Sequence, residues 1–188
     1  MFLLRGDGSD GHSYAERMKN YIEKTYNKTY NSNTKKYEDV HGKDKNENIR
    51  ECHHNEERVD DRPCRFDLST LEECQDYPHG FEITNRERYI NPCVFLKLNK
   101  IWDWVPQPIN PDFVDEYYEM SDQLKTIIKN APDPNQVWFD CQGRFAADRE
   151  ALVDITYFPP SQGIPINSYY PYLGGDYEPP LVAVKIKK

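Results

Sequence analysis

The chain has 188 residues, enough for one domain with its own core or a domain plus an arm. Acidic residues outnumber basic ones, 32 to 24, for a formal net charge of −8, and no basic stripe interleaves with aromatics, which argues against nucleic acid as a partner. Aromatic residues make up 13% of the chain, a mix that suits a folded domain rather than a disordered tail. No run of 18 apolar residues is present, so no segment reads as a transmembrane helix. The opening "MFLL" is too short for the apolar region of a signal peptide.

Residues 1–12 read as a disordered start. Residues 13–26 predict a helix: Ser13 and Glu16 stand at capping-box spacing, and Tyr14, Met18, Tyr21 and Ile22 share one apolar face. Residues 27–62 are nearly all polar and read as a linker region with a possible short strand, carrying the first disulfide. Its stretch "NENIRECHHNEERVDD" lacks the order of a calcium loop and reads as a solvated face. Strand signals begin at "CRFDL" and recur in "PCVFLKLNKIWDWVP", where Val94, Leu96 and Leu98 alternate with Phe95 and Lys97. Ser121 caps a short helix to Lys129 whose buried side is Leu124, Ile127 and Ile128. "QVWFDC", "ALVDITYF" and "PLVAVKIKK" supply further strands, the last with Val182, Val184 and Ile186 facing inward.

Several strands at irregular spacing with proline-rich turns, and no alternation of strand and helix, predict a mainly β fold. The expectation is a β-sandwich over residues 63–188, with a short additional helix and the N-terminal helix beside it.

Five cysteines are present: Cys52, Cys64, Cys74, Cys93 and Cys141. No CxxC pair occurs, so zinc-ribbon and thioredoxin readings fail. Cys52-His53-His54 invites a metal, but adjacent ligands rarely close a tetrahedral site, and no metal is expected. Spacing suits two local bridges, Cys52–Cys64 and Cys74–Cys93, although sequence alone leaves the connectivity open. Cys141 is left over as an unpaired cysteine. Asn27-Lys28-Thr29 is a glycosylation sequon in polar surroundings, making Asn27 the candidate glycan site.

Nucleotide-binding loops, the serine nucleophile elbow and the HExxH zinc helix are all missing, so neither an enzyme nor a cofactor is expected. A different feature stands out in "NSYYPYLGG". Tyr169, Tyr170, Pro171 and Tyr172 concentrate aromatic surface where proline breaks a strand's hydrogen-bond ladder. Rigid tyrosine rings bury apolar area at low entropic cost, which suits a surface made to be touched.

"PCVFLKLNKIWDWVPQP", "VWFDCQG", "ITYFPPSQGIPINSYYPYLGG" and "PLVAVKIK" together resemble the beta subunit of the sodium/potassium-transporting ATPase, a subunit type shared with the gastric proton/potassium pump. The resemblance implies a type II single-pass glycoprotein of the plasma membrane with this region extracellular. It implies an immunoglobulin-like ectodomain, three disulfides and no catalytic residues. The implied partner is the catalytic alpha subunit, whose folding, membrane delivery and potassium affinity the beta subunit assists. Carried over to this sequence, Tyr169, Tyr170, Pro171 and Tyr172 are the implied contact with alpha. The implied first two bridges are again Cys52–Cys64 and Cys74–Cys93. The third joins the position of Cys141 to a cysteine beyond "VAVKIKK", where family members usually continue, so the sandwich is expected to be incomplete at its C-terminus. The alternative is an extracellular module for cell–cell adhesion or binding, not associated with a pump.

Overall fold

The computed structural model describes residues 10–40, 50, 52, 62–76, 93–151 and 154–187. The first helix, α1, spans Asp10–Thr25. It therefore starts before Ser13, which lies inside it rather than capping it. Ala15 and Ile22 are fully buried, and Met18 and Tyr21 pack beside them, which is the apolar stripe that helical periodicity requires. Tyr26 extends that stripe one turn further and is fully buried.

The polar stretch that follows opens with two short strands. Strands β1 (Lys28–Asn31) and β2 (Lys36–Asp39) form an antiparallel hairpin in which Tyr30 faces Tyr37. Their rings lie 5.2 Å apart, an edge-on pair that gives the hairpin an apolar side. The Asn31 side chain accepts the Asn33 N–H at 2.9 Å and so closes the turn. A 3-10 helix, Leu68–Gln75, comes next, with Asp67 accepting the Ser69 N–H at its start.

The main sheet has three strands. β3 (Cys93–Leu96) and β5 (Asp154–Phe158) both pair antiparallel with β7 (Val182–Lys187), which lies between them. Register places Val94 opposite Val184 and Leu96 opposite Val182. β4 (Gln136–Trp138) pairs with β6 (Gly163–Pro165) in a separate two-stranded sheet. Between these strands lie the 3-10 helix Pro111–Glu116, α2 (Asp122–Asn130) and α3 (Ala146–Ala151), and α4 (Ile166–Tyr169) follows β6. Ser121 caps α2 by accepting the Leu124 N–H, while the Asp140 carboxylate accepts both the N–H and the hydroxyl of Ser121. Leu124 and Ile128 are buried beneath α2.

The expected mainly β, immunoglobulin-like sandwich is not what forms. Among the described residues there are six helices, four α and two 3-10, and three open sheets of two, three and two strands. The reason lies in what covers each face of the main sheet. Val182, Val184, Ile186, Leu96 and Tyr157 face a cluster completed by Ile164, Ile166 and Tyr170. On the opposite face, Cys93, Phe95, Ala183 and Phe158 meet Ile22 and Tyr26 together with Leu68 and Leu71. α1 and the 3-10 helix Leu68–Gln75 thus cover one face of the main sheet, and the other face meets only the short β4–β6 pair with α4 and Tyr170, so no two full sheets pack as a sandwich among the described residues. Phe95, read from alternation as pointing away from the core, points into this second cluster.

Of the predicted inward residues, Val182 and Val184 are buried, while Leu96, Leu98 and Ile186 are half-buried against the same cluster. Val94 is half-buried. Val184 is 2% exposed, so Val184→Ala is expected to destabilise the fold by about 1–3 kcal/mol through lost burial and the cavity left behind. Urea unfolding checks this, and a shift below the lower figure would show that the site collapses around the smaller side chain.

Candidate partner-contact surface

The segment Tyr169–Tyr172 leaves α4 and runs extended from Tyr170. Its rings divide between two directions. Tyr169 packs inward, 6.2 Å from the Phe66 ring, and touches both clusters that flank the main sheet. Burial pushes its phenol well above the ordinary tyrosine range. Tyr170 is 7% exposed, and burial pushes its phenol up to about 12, with a hydrogen bond involving Tyr177 opposing the shift. Tyr172 and Pro171 are half-buried. The Tyr172 ring packs 5.1 Å from Tyr177, and Lys100 Nζ lies over both rings at 5.3 and 5.5 Å.

The exposed aromatic surface here belongs to a neighbouring loop. Trp102 is 66% and Trp104 40% exposed, with Ile101 and Val105 also open to solvent. The loop is fastened to the tyrosine segment. Trp102 and Tyr172 form a parallel bridge, and the Asp103 N–H donates to the Tyr172 carbonyl at 3.0 Å. The Trp102 ring stands edge-on to Tyr172 at 6.2 Å and Trp104 edge-on to Tyr170 at 6.3 Å. Gly174 makes room for this arrangement. A Cβ there would lie 2.9 Å from the Trp102 ring, and its φ of 85° is one that side chains rarely adopt.

Sequence reasoning pointed to the tyrosines and left Trp102 and Trp104 without a role of their own inside the strand-signal stretch "PCVFLKLNKIWDWVP". A signal was present in their surroundings. Asp103 between them, with Pro106 and Pro108 close behind, marks a loop rather than a core strand.

The family model described as sodium/potassium ATPase beta chain matches residues 4–188. The chain belongs to the sodium/potassium ATPase beta chain family. It is similar to the sodium/potassium-transporting ATPase subunit beta-1 of Drosophila melanogaster, 43% identical over 97 residues, which cover 50% of this chain and 29% of that protein. Subunit beta-2 of the same fly is 33% identical over 150 residues, covering 76% of this chain and 43% of its own length. Subunit beta-233 of Anguilla anguilla is 30% identical over 131 residues, 66% of this chain and 38% of that protein. The chain thus spans less than half the length of each of these curated relatives.

In this beta chain family member, the two local bridges are formed: Cys52–Cys64 and Cys74–Cys93. Cys52 is therefore bonded through sulfur and is not a thiolate ligand, while His53 and His54 lie outside the described residues. No group of three or more His, Cys, Asp or Glu side chains suited to a metal occurs among the described residues. No described helix is long and apolar enough to cross a membrane. Asn27 is exposed in the turn between α1 and β1, with Thr29 also exposed.

Cys141 is the free cysteine among the described residues. Its N–H donates to the Tyr157 hydroxyl at 2.7 Å. Burial raises its thiol pKa, a hydrogen bond involving Tyr157 lowers it and the Asp140 charge raises it further, for a net upward shift. The thiolate is the reactive form, so Cys141 is expected to alkylate more slowly with iodoacetamide at pH 8 than an unstructured cysteine peptide. Its rate profile should also be displaced toward higher pH. A rate equal to the peptide's would show that the thiol is neither shielded nor shifted.

Proposed function

We propose that this chain is the extracellular part of a non-catalytic beta subunit of a sodium/potassium-transporting P-type ATPase at the plasma membrane. It assists folding, membrane delivery and potassium affinity of the catalytic alpha subunit. The family match over residues 4–188 carries the reading. The segment Tyr169, Tyr170, Pro171 and Tyr172 belongs to the surface that meets alpha, and Asn27 carries a glycan. The exposed sequon and the two disulfides fit an oxidising, extracellular setting.

Co-expression of the full-length protein with the catalytic alpha subunit, followed by co-purification, tests the assignment. Alpha is expected to be recovered with the beta chain, and Tyr172→Ala to reduce the recovery while the melting temperature is kept. An alpha subunit that never co-purifies with the intact chain would refute it.

A further inference from the structure

The surface around Tyr169–Tyr172 raises a question of supply. Tyr170 is almost wholly covered and Tyr169 turns toward Phe66, so the segment itself offers a partner little ring area. The large exposed rings beside it are Trp102 and Trp104, each standing on a tyrosine of the segment. Loop and segment are one unit, joined by the Trp102–Tyr172 bridge and the Asp103 N–H bond to the Tyr172 carbonyl.

We infer that the shelf formed by Ile101, Trp102, Trp104 and Val105 is the principal contact with the extracellular face of the alpha subunit, and that Tyr170 is a positioning residue beneath it. This rests on the functional reading above. Tryptophan is the residue most enriched at energetic centres of interfaces, and an exposed apolar shelf of this kind marks an interaction site. An indole offers apolar area and one N–H donor, so the surface it enters is apolar with a carbonyl or carboxylate acceptor at its margin. Charge separates the candidate occupants. A net charge of −8 opposes association of two copies of this chain and opposes an anionic lipid surface, whereas an apolar patch on a different protein meets neither obstacle. Backbone continuity with the segment proposed to contact alpha selects alpha as that protein.

The experiment is co-purification of the full-length protein with alpha for Trp102→Ala, Trp104→Ala, Tyr172→Ala and Tyr118→Ala, with thermal unfolding of each. Tyr118 is 93% exposed in a different loop and serves as the control. At least one tryptophan variant should weaken binding by about 30-fold with its melting temperature unchanged, and Tyr118→Ala should bind normally. Trp104→Phe, which keeps a ring at that position, should retain more binding than Trp104→Ala and guards against a folding artefact. Tryptophan variants that bind alpha as tightly as the parent would overturn the inference. If Tyr172→Ala alone loses binding, the inference falls and the functional reading stands. If the unmodified chain never recovers alpha, the functional reading itself falls. A dimer of this chain that Trp102→Ala dissolves, with alpha binding intact, would assign the shelf to self-association instead.

Discussion

Replacing Tyr26 with alanine is expected to cost about 3–5 kcal/mol, the loss typical of a fully buried aromatic side chain. Tyr26 has no exposed surface, and its ring lies 5.8 Å from Phe66 and 6.4 Å from Tyr21. Its hydroxyl donates to the Pro179 carbonyl, across 153 positions of sequence. One side chain therefore ties the end of α1 to the segment leading into β7. Tyr26→Phe keeps the ring and leaves the carbonyl without that donor, so a loss of about 1–2 kcal/mol is expected. Denaturant unfolding of both variants separates ring from hydroxyl. Equal losses would show that the hydrogen bond, not packing, holds the helix.

The same residue sets a pH dependence. Burial raises the Tyr26 phenol far above its ordinary value near 10. Above about pH 10 the unfolded chain releases this proton while the folded chain keeps it, so the folded state binds more protons and stability falls as pH rises. Tyr169, Tyr157 and Tyr170 are shifted the same way, Tyr170 to about 12. Melting temperature is expected to decline above about pH 10, and less steeply in Tyr26→Phe. A flat profile would show that these phenols ionise without opening the fold.

Removing the Cys74–Cys93 bridge by the double change Cys74→Ala and Cys93→Ala is expected to cost about 3 kcal/mol. The bridge spans 19 positions and frees that loop in the unfolded chain when it is lost. Both sulfurs are fully buried, between the 3-10 helix Leu68–Gln75 and β3, so their loss also loosens the cluster shared with Phe95 and Leu71. Cys52–Cys64 spans 12 positions and Cys52 is half-buried. Loop closure alone separates the two bridges by only about 0.4 kcal/mol. A clearly larger loss at Cys74–Cys93 therefore reports core packing. The comparison requires denaturation midpoints at equal slopes, and the reverse order would place the weight on the Cys52 loop instead.

The sequence by itself determined what short-range physics controls. Ser121 with Leu124 and Ile128 announced α2, because a cap and an apolar stripe are both read within one or two turns. Alternation at Val182, Val184 and Ile186 announced β7 and its inward face, since a strand's period is fixed by its pleat. Local cysteine spacing suited the two bridges that formed. The motifs from Cys93 to Lys187 carried the family.

Only the tertiary structure decided which elements arrive on each face. The side of the main sheet bearing Phe95 and Ala183 carries no mark that α1 and the 3-10 helix Leu68–Gln75, rather than a second sheet, will cover it. The hydrophobic effect is not directional, so apolar residues on that face do not say whether a helix or a sheet will cover them. The division of labour between tyrosines and tryptophans is likewise tertiary. Each ring is amphipathic and stable in a core or at a surface, so exposure followed from neighbours. Phe66 and Trp104 pack against the tyrosine segment, while little covers the indole of Trp102.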